Sequence, residues 1–215
     1  MGFKYYQWAT ARAVSGTDEG EVSGAWRERV REDLACWGGG RRAPGESAPR
    51  RSRTGDLVAP ELRNLKEKDA APVREALDRW WGGCDLSHLA LPLFFRHFRD
   101  TSFVLDDRGE VVGFLVGFVS QSQPEEGYVH LVGVHPGRRQ RGLARWLYEA
   151  FFEEARARGC TLVRCITTPG NGGSISFHNS LGFRVEGDGE SGGVPVFRDY
   201  GGPGEDRVLL CKSLQ

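Results

Sequence analysis

YVHLVGVHPGRRQRGLARWLYEAFF, residues 128–152, carries a strand, a loop and the start of a long helix in one run. Val129, Leu131, Val132 and Val134 make the first seven residues a buried strand. His135-Pro136 ends it, and a loop of glycine and arginine leads straight into a helix. From Gly142 to Arg158 the apolar period is helical, with Leu143, Trp146, Leu147, Ala150, Phe151 and Ala155 on one face and Gly159 as the stop. Arg145–Glu149 and Glu154–Arg158 stand at the i,i+4 spacing that supports such a helix. A strand feeding a helix through a glycine-rich loop leaves free backbone N–H groups at the helix start, aimed at whatever the loop surrounds. Gly142 lets a ligand approach the backbone, Ala144 keeps the first turn uncluttered, and Arg138, Arg139, Arg141 and Arg145 add positive charge. These features predict a diphosphate cradle. G-K-[ST] and G-x-G-x-x-G are both absent, which excludes a Walker P-loop and a dinucleotide fingerprint.

On either side the text alternates strands and helices. Upstream, ELRNL reads as a short strand. Asp69 is the expected cap of a helix with Pro72 in its first turn and Val73, Ala76, Leu77 and Trp80 on one face, stopped by Gly82-Gly83. LALPLFFRHF (89–98) reads as a second helical segment. TSFVLDD and EVVGFLVGFVS form a hairpin around Arg108-Gly109, and SQPEEG turns the chain into the strand at 128–134. Downstream come the strand TLVRCITT (161–168), the short helix SISFHNSLG (174–182), the strand FRVEG, a long glycine-rich loop at 187–204 and the closing strand RVLLCKSL. The pattern is a mixed α/β sheet protein.

The chain has 215 residues, 39% hydrophobic and 27% charged, with 29 Lys+Arg against 29 Asp+Glu. A formal net charge of zero argues against a nucleic-acid partner. The longest apolar run, 111–119, is about half of what a membrane-spanning helix needs. The five cysteines are odd in number and form no C-x-x-C pair, which disfavours a disulfide framework and a zinc site and fits free thiols in the cytoplasm. No metal is expected. Residues 38–55 contain five Gly, five Arg and two Pro and nothing apolar larger than alanine. Such a segment cannot offset its chain entropy and is expected to be disordered. Residues 23–37 could form one amphipathic helix before it. The division expected is therefore 1–60 as an extension and linker, and 61–215 as the functional domain.

Arg139, Gly142 and Ala144 as R-x-x-G-x-A, after Val134 and Pro136 as V-x-P, resemble the acetyl-CoA signature of the GNAT superfamily of N-acetyltransferases. NGGSISFHNSLGF (171–183) is similar to that family's N-x-x-[SA]-x-x-[FL]-[YH]-x-x-x-GF segment. The resemblance covers residues 62–215 and implies a mixed, mostly antiparallel central sheet flanked by helices, with acetyl-CoA as co-substrate. It carries the cofactor contacts onto Val132, Gly133 and Val134 for the pantetheine, and onto Arg139, Gln140, Arg141, Gly142, Leu143 and Ala144 for the pyrophosphate, with Asn171 orienting the cofactor or capping a turn. Val132 N–H is also placed to hold a developing oxyanion, a donor type that contributes strongly to catalysis.

The implied reaction moves an acetyl group to a primary amine of a small molecule or peptide in a ternary complex, and a homodimer is compatible with it. An amine with a pKa near 10.4 must lose its proton, and the resemblance places the base at His130 or Tyr128. His130 is expected, by strand alternation, on the face of Val132 and Val134. It reads as a general base or as a hydrogen-bonded structural histidine. The family's acid is a tyrosine where this chain has His178, which reads as an altered acid or an ordinary helix histidine. Trp80, Trp81, Tyr128 and Tyr200 are the acceptor-site candidates, with Phe94, Phe95 and the 187–204 loop around them. The missing tyrosine leaves an alternative function, a non-catalytic acyl-CoA-binding regulatory module.

Overall fold

A computed structural model describes residues 59–81 and 86–215. The readings for 23–37, 38–55 and Gly82-Gly83 lie outside the described residues. The strands are β1 Glu61–Asn64, β2 Phe103–Asp107, β3 Glu110–Val119, β4 Glu126–Val134, β5 Leu162–Thr167, β6 Arg184–Glu186, β7 Gly189–Ser191, β8 Val194–Val196 and β9 Val208–Ser213. The helices are α1 Ala70–Trp80, α2 Pro92–His97, α3 Leu143–Ala157 and α4 Gly172–Ser180. Seven strands form one sheet in the order β1-β2-β3-β4-β5-β9-β6. Every pairing in it is antiparallel except β4 with β5, as the mixed, mostly antiparallel expectation required.

Two apolar layers cover the sheet. On one face α3 brings Leu143, Trp146, Leu147, Ala150, Phe151 and Ala155 onto Leu105, Leu115, Val129 and Val134, joined by Leu181 and Phe183 next to α4. On the other, Val73, Ala76, Leu77 and Trp80 of α1 and Phe95 of α2 meet Val104, Phe114 and Val116. Phe151 is 1% exposed, and burying a side chain of that size contributes roughly 1.5–3 kcal/mol. Its seat is Gly117, where a Cβ would lie 2.5 Å from the ring's Cε2. The β2–β3 hairpin turns on Arg108 (φ 57) and Gly109 (φ 91), the left-handed pair of a tight two-residue loop. The Arg145–Glu149 and Glu154–Arg158 pairs form at 3.9 and 2.6 Å.

Four local expectations need correction. Asp69 does not cap α1. Its carboxylate takes the Lys66 N–H at 2.7 Å and the Arg63 guanidinium at 2.8 and 2.9 Å, tying β1 to the turn before the helix. The 89–98 segment is not one helix, because Pro92 holds Leu91 extended (ψ 144) and α2 begins only after it. The 187–204 loop contains the β7–β8 hairpin, with Gly192 and Gly193 at positive φ in its turn.

The fourth correction concerns β4 itself. Val116 pairs with Leu131 and the next residue, Gly117, with Val129, so His130 is an extra residue in the strand, a β-bulge. The bulge shifts the alternation by one. Val129, Val132 and Val134 face α3, whereas Leu131 packs with the α1–α2 core and His130 stacks on Phe94 of α2. His130 therefore faces away from Val132 and Val134, against the expectation from simple alternation.

Candidate active site

The parallel pairing of β4 with β5 covers Glu126↔Leu162, Gly127↔Val163 and Tyr128↔Arg164, and stops there. Beyond that vertex the strands part. Hydrogen-bonded and open pairs alternate along an antiparallel ladder. Because His135 N–H donates to Val112 O at 3.0 Å, the pairs Gly113↔Val134 and Leu115↔Val132 are the open ones. The N–H and C=O groups of Val132 and Val134 consequently point away from β3 and into the gap. The carbonyl of Val134 accepts from Arg139 Nε at 3.2 Å.

The loop after β4 delivers this edge to α3. His135 Nδ1 accepts from Gly137 N–H at 3.1 Å, Gln140 (φ 61) and Gly142 (φ 76) take left-handed backbone, and the first α-helical bond is Trp146 N–H to Gly142 O. The amides of Leu143, Ala144 and Arg145 precede that bond and form the open first turn. The arginines divide their work. Arg138 pairs with Asp107 at 2.6 Å, and Arg139 also donates to the Trp80 carbonyl at 3.1 Å, fixing the end of α1 to the loop. Arg145 reaches Ser180 O at 3.1 Å, and Arg141 is exposed.

His130 lies just past the vertex, on the α2 side. A carbonyl only accepts, so the 3.0 Å contact with Leu89 O puts the proton on Nε2 and, in the neutral ring, leaves the lone pair on Nδ1. Burial lowers its pKa below the usual histidine value, against the pull of the Leu89 carbonyl. Tyr128, on the same face, stacks on Phe118 at 5.3 Å, and its phenol is pushed up by burial and by nearby Tyr200. The structure thus brings His130, Tyr128 and Tyr200 to one side of the vertex, together with Phe94, Phe98 and Phe118.

The other side is lined differently. Cys165, the first β5 residue past the vertex, is buried toward α3, and its thiol is pushed up to about 12 by burial. Beside it, Tyr148 of α3 donates its hydroxyl to His178 Nε2 at 2.6 Å, while His178 Nδ1–H donates to Ser174 O at 2.7 Å. His178 is 4% exposed and ringed by Tyr148, Phe177 and Phe183. Both its nitrogens are engaged, and burial lowers its pKa against the Ser174 carbonyl. It is a core histidine that orients Tyr148, not a group turned toward the gap. Asn171 caps α4 through Oδ1 on Ser174 N–H at 3.1 Å.

Trp80 and Trp81 also depart from expectation. They cover Phe114, and Trp80 meets His135 edge-on, at the far end of β4 from Tyr128. Phe95 is a core residue, 1% exposed. A cavity of about 440 Å³ lined by Trp80 with Glu75, Arg79, Glu110 and His135 opens at that same far end, apart from the vertex. Sequence reasoning missed Leu89, whose carbonyl fixes the His130 tautomer, and Arg164, which donates to Glu126 and Glu186 at 2.8 and 2.6 Å. An arginine in an otherwise apolar strand was the available signal for the latter. Among the described residues no three His, Cys, Asp or Glu side chains gather as a metal site, and no helix is long and apolar enough to cross a membrane.

Comparison with known proteins agrees with this geometry. An L-2,4-diaminobutyric acid acetyltransferase of Streptomyces coelicolor is 36% identical over 123 residues, 54% of this chain and 71% of that protein. The corresponding enzyme of Nocardia farcinica is 29% identical over 98 residues, 46% of this chain and 51% of its own. The chain spans about half the length of several curated relatives it matches. The diaminobutyrate acetyltransferase of Paenibacillus lautus, solved with L-2,4-diaminobutyric acid and coenzyme A, superposes with a TM-score of 0.55 at 20% identity, covering 73% of this chain and 97% of that one. The model of the Acetyltransferase (GNAT) family matches residues 67–183, more than half of the sequence, and the chain belongs to that family.

Proposed function

We propose that this chain is an acetyl-CoA-dependent N-acetyltransferase that acts on a primary amine by direct transfer in a ternary complex. The observation that carries this reading is the parting of β4 from β5 after Tyr128 and Arg164, with the Val132 and Val134 backbone turned into the gap. A strand edge of that kind suits the amides of a pantetheine arm, with Gly133 between the two contacts. The loop from Arg139 through Gln140, Arg141, Gly142 and Leu143 to Ala144 supplies free amides and positive charge for a pyrophosphate. Acetyl-CoA, when bound, supplies the activated acyl group.

The chain's own groups would then act as follows. Val132 N–H donates to the thioester oxygen as negative charge develops there, from a fixed position that needs no reorganisation. His130, neutral at pH 7 and held by Leu89, presents Nδ1 as the acceptor of the amine proton. A thiol with a pKa around 8.5 is a tolerable leaving group, so no dedicated acid is assigned, and His178 serves by positioning Tyr148. A coupled assay of CoA release against a panel of amines tests the proposal, with amine-dependent turnover expected. Acetyl-CoA binding without turnover on any amine or peptide would instead support a non-catalytic acyl-CoA-binding module.

A further inference from the structure

The side of the vertex occupied by His130 has a composition of its own. A run of stacked and tilted rings begins at His130 and returns to the same strand: His130 on Phe94 at 4.3 Å, Phe94 to Phe98 at 5.6 Å, Phe98 to Phe118 at 5.2 Å and Phe118 to Tyr128 at 5.3 Å. Among the described residues the exposed large apolar side chains are Leu91 (46%), Leu93 (43%), Ile166 (36%) and Tyr200 (51%). Ile166 and Tyr200 belong to the side of Arg164 and Tyr128. Leu91 and Leu93 flank the start of α2, whose Phe94 carries His130. Ile166 shares the face of Arg164 and Tyr128, because Val163 and Cys165 point the other way, into the α3 core. Tyr200 neighbours Tyr128. Aromatic rings gathered around one polar atom with a free lone pair are the usual make-up of a small-molecule site.

Charge narrows the ligand further. Arg164, the guanidinium beside Tyr128, donates to Glu126 and Glu186 at 2.8 and 2.6 Å. One cation between two carboxylates leaves a net negative cluster, which disfavours a second carboxylate from a ligand. An apolar surround lowers the pKa of an incoming ammonium, against the opposite pull of the cluster's negative charge, and the Nδ1 acceptor takes the proton that remains.

We propose that the acceptor is a primary amine on an apolar aryl or alkyl body, with no carboxylate beside the amine. This rests on the acetyl-transfer reading and sharpens it. The amine nitrogen bonds to the acetyl carbon as the carbon–sulfur bond breaks. His130 Nδ1 takes the nitrogen's proton, the sulfur leaves with the electron pair, and the products are an N-substituted acetamide and CoA. The rings from Phe94 to Tyr128 hold the apolar body while Glu126 and Glu186 repel anionic competitors.

The test compares kcat/KM of the full chain for 2-phenylethylamine, hexylamine, L-phenylalanine and L-2,4-diaminobutyrate. Phenylethylamine should exceed phenylalanine, which differs by its carboxylate, at least tenfold, and should exceed diaminobutyrate by a similar factor. Tyr200→Ala, at an exposed position, should raise KM for phenylethylamine severalfold with acetyl-CoA affinity unchanged. Glu186→Gln should narrow the gap between phenylethylamine and phenylalanine. Equal or better use of either amino acid would overturn the inference while leaving N-acetyl transfer intact. Silence toward all amines in a chain that binds acetyl-CoA would overturn both.

Discussion

His130 can act as a base only through Nδ1, because its Nε2–H is committed to the Leu89 carbonyl. Burial lowers its pKa below 6.5, so the ring is neutral at pH 7 and becomes protonated only in more acidic solution. The acidic limb of kcat/KM should accordingly lie below pH 6.5, with activity flat above it until other groups titrate. In His130→Ala that limb should vanish and turnover fall about a hundredfold, the lower end for a general base. A pH–rate profile of both proteins checks this, and a limb that persists in the variant would assign the base elsewhere. Residue types were legible in the sequence here, but surroundings were not. His130 and His178 read alike as candidates, and only the Leu89 carbonyl and the Tyr148 hydroxyl, contributed by segments distant in sequence, separate them.

At the scale of elements, the strand–loop–helix unit was the most legible part, because a short apolar run gives way to a helical period across a loop rich in glycine. Its functional detail is Gly142 at φ 76, immediately before the open first turn of α3. A glutamate there meets left-handed strain, and its carboxylate would stand where a pyrophosphate is expected. Gly142→Glu should weaken acetyl-CoA binding by at least about 2 kcal/mol, roughly thirtyfold, measured by calorimetry on protein shown to be folded. Near-wild-type affinity would move the cradle elsewhere. Short elements were less legible. The 89–98 segment read as one helix because it is largely apolar, yet its proline bars the residues before it from the helix. The β7–β8 hairpin was hidden in 187–204 because a run of glycines does not announce which of them turn.

For the molecule as a whole, the seven-stranded sheet followed from hairpin spacing, but the bulge did not. V-H-L-V-G-V contains too few polar residues for a slip in alternation to show, so facing could be settled only by register against β3. That slip can also be stated as a matter of parity. If His130 were absent, Val129 and Leu131 would oppose Gly117 and Val116 as consecutive pairs, and every apolar side chain of β4 would keep the core it now occupies. The apolar facing of the strand does not need this residue, whose ring instead ties β4 to Phe94 and the Leu89 carbonyl. A bulge bends and twists its strand, so one inserted position would supply the proposed proton acceptor and bends β4 just past the point where it has parted from β5. Deleting His130 alone should give a protein that still melts cooperatively, binds acetyl-CoA less well and transfers no acetyl group. Calorimetry and the coupled assay would read all three, and a variant that fails to fold would show that the extra residue is structural. On this account the candidate site is an odd number introduced into an even lattice.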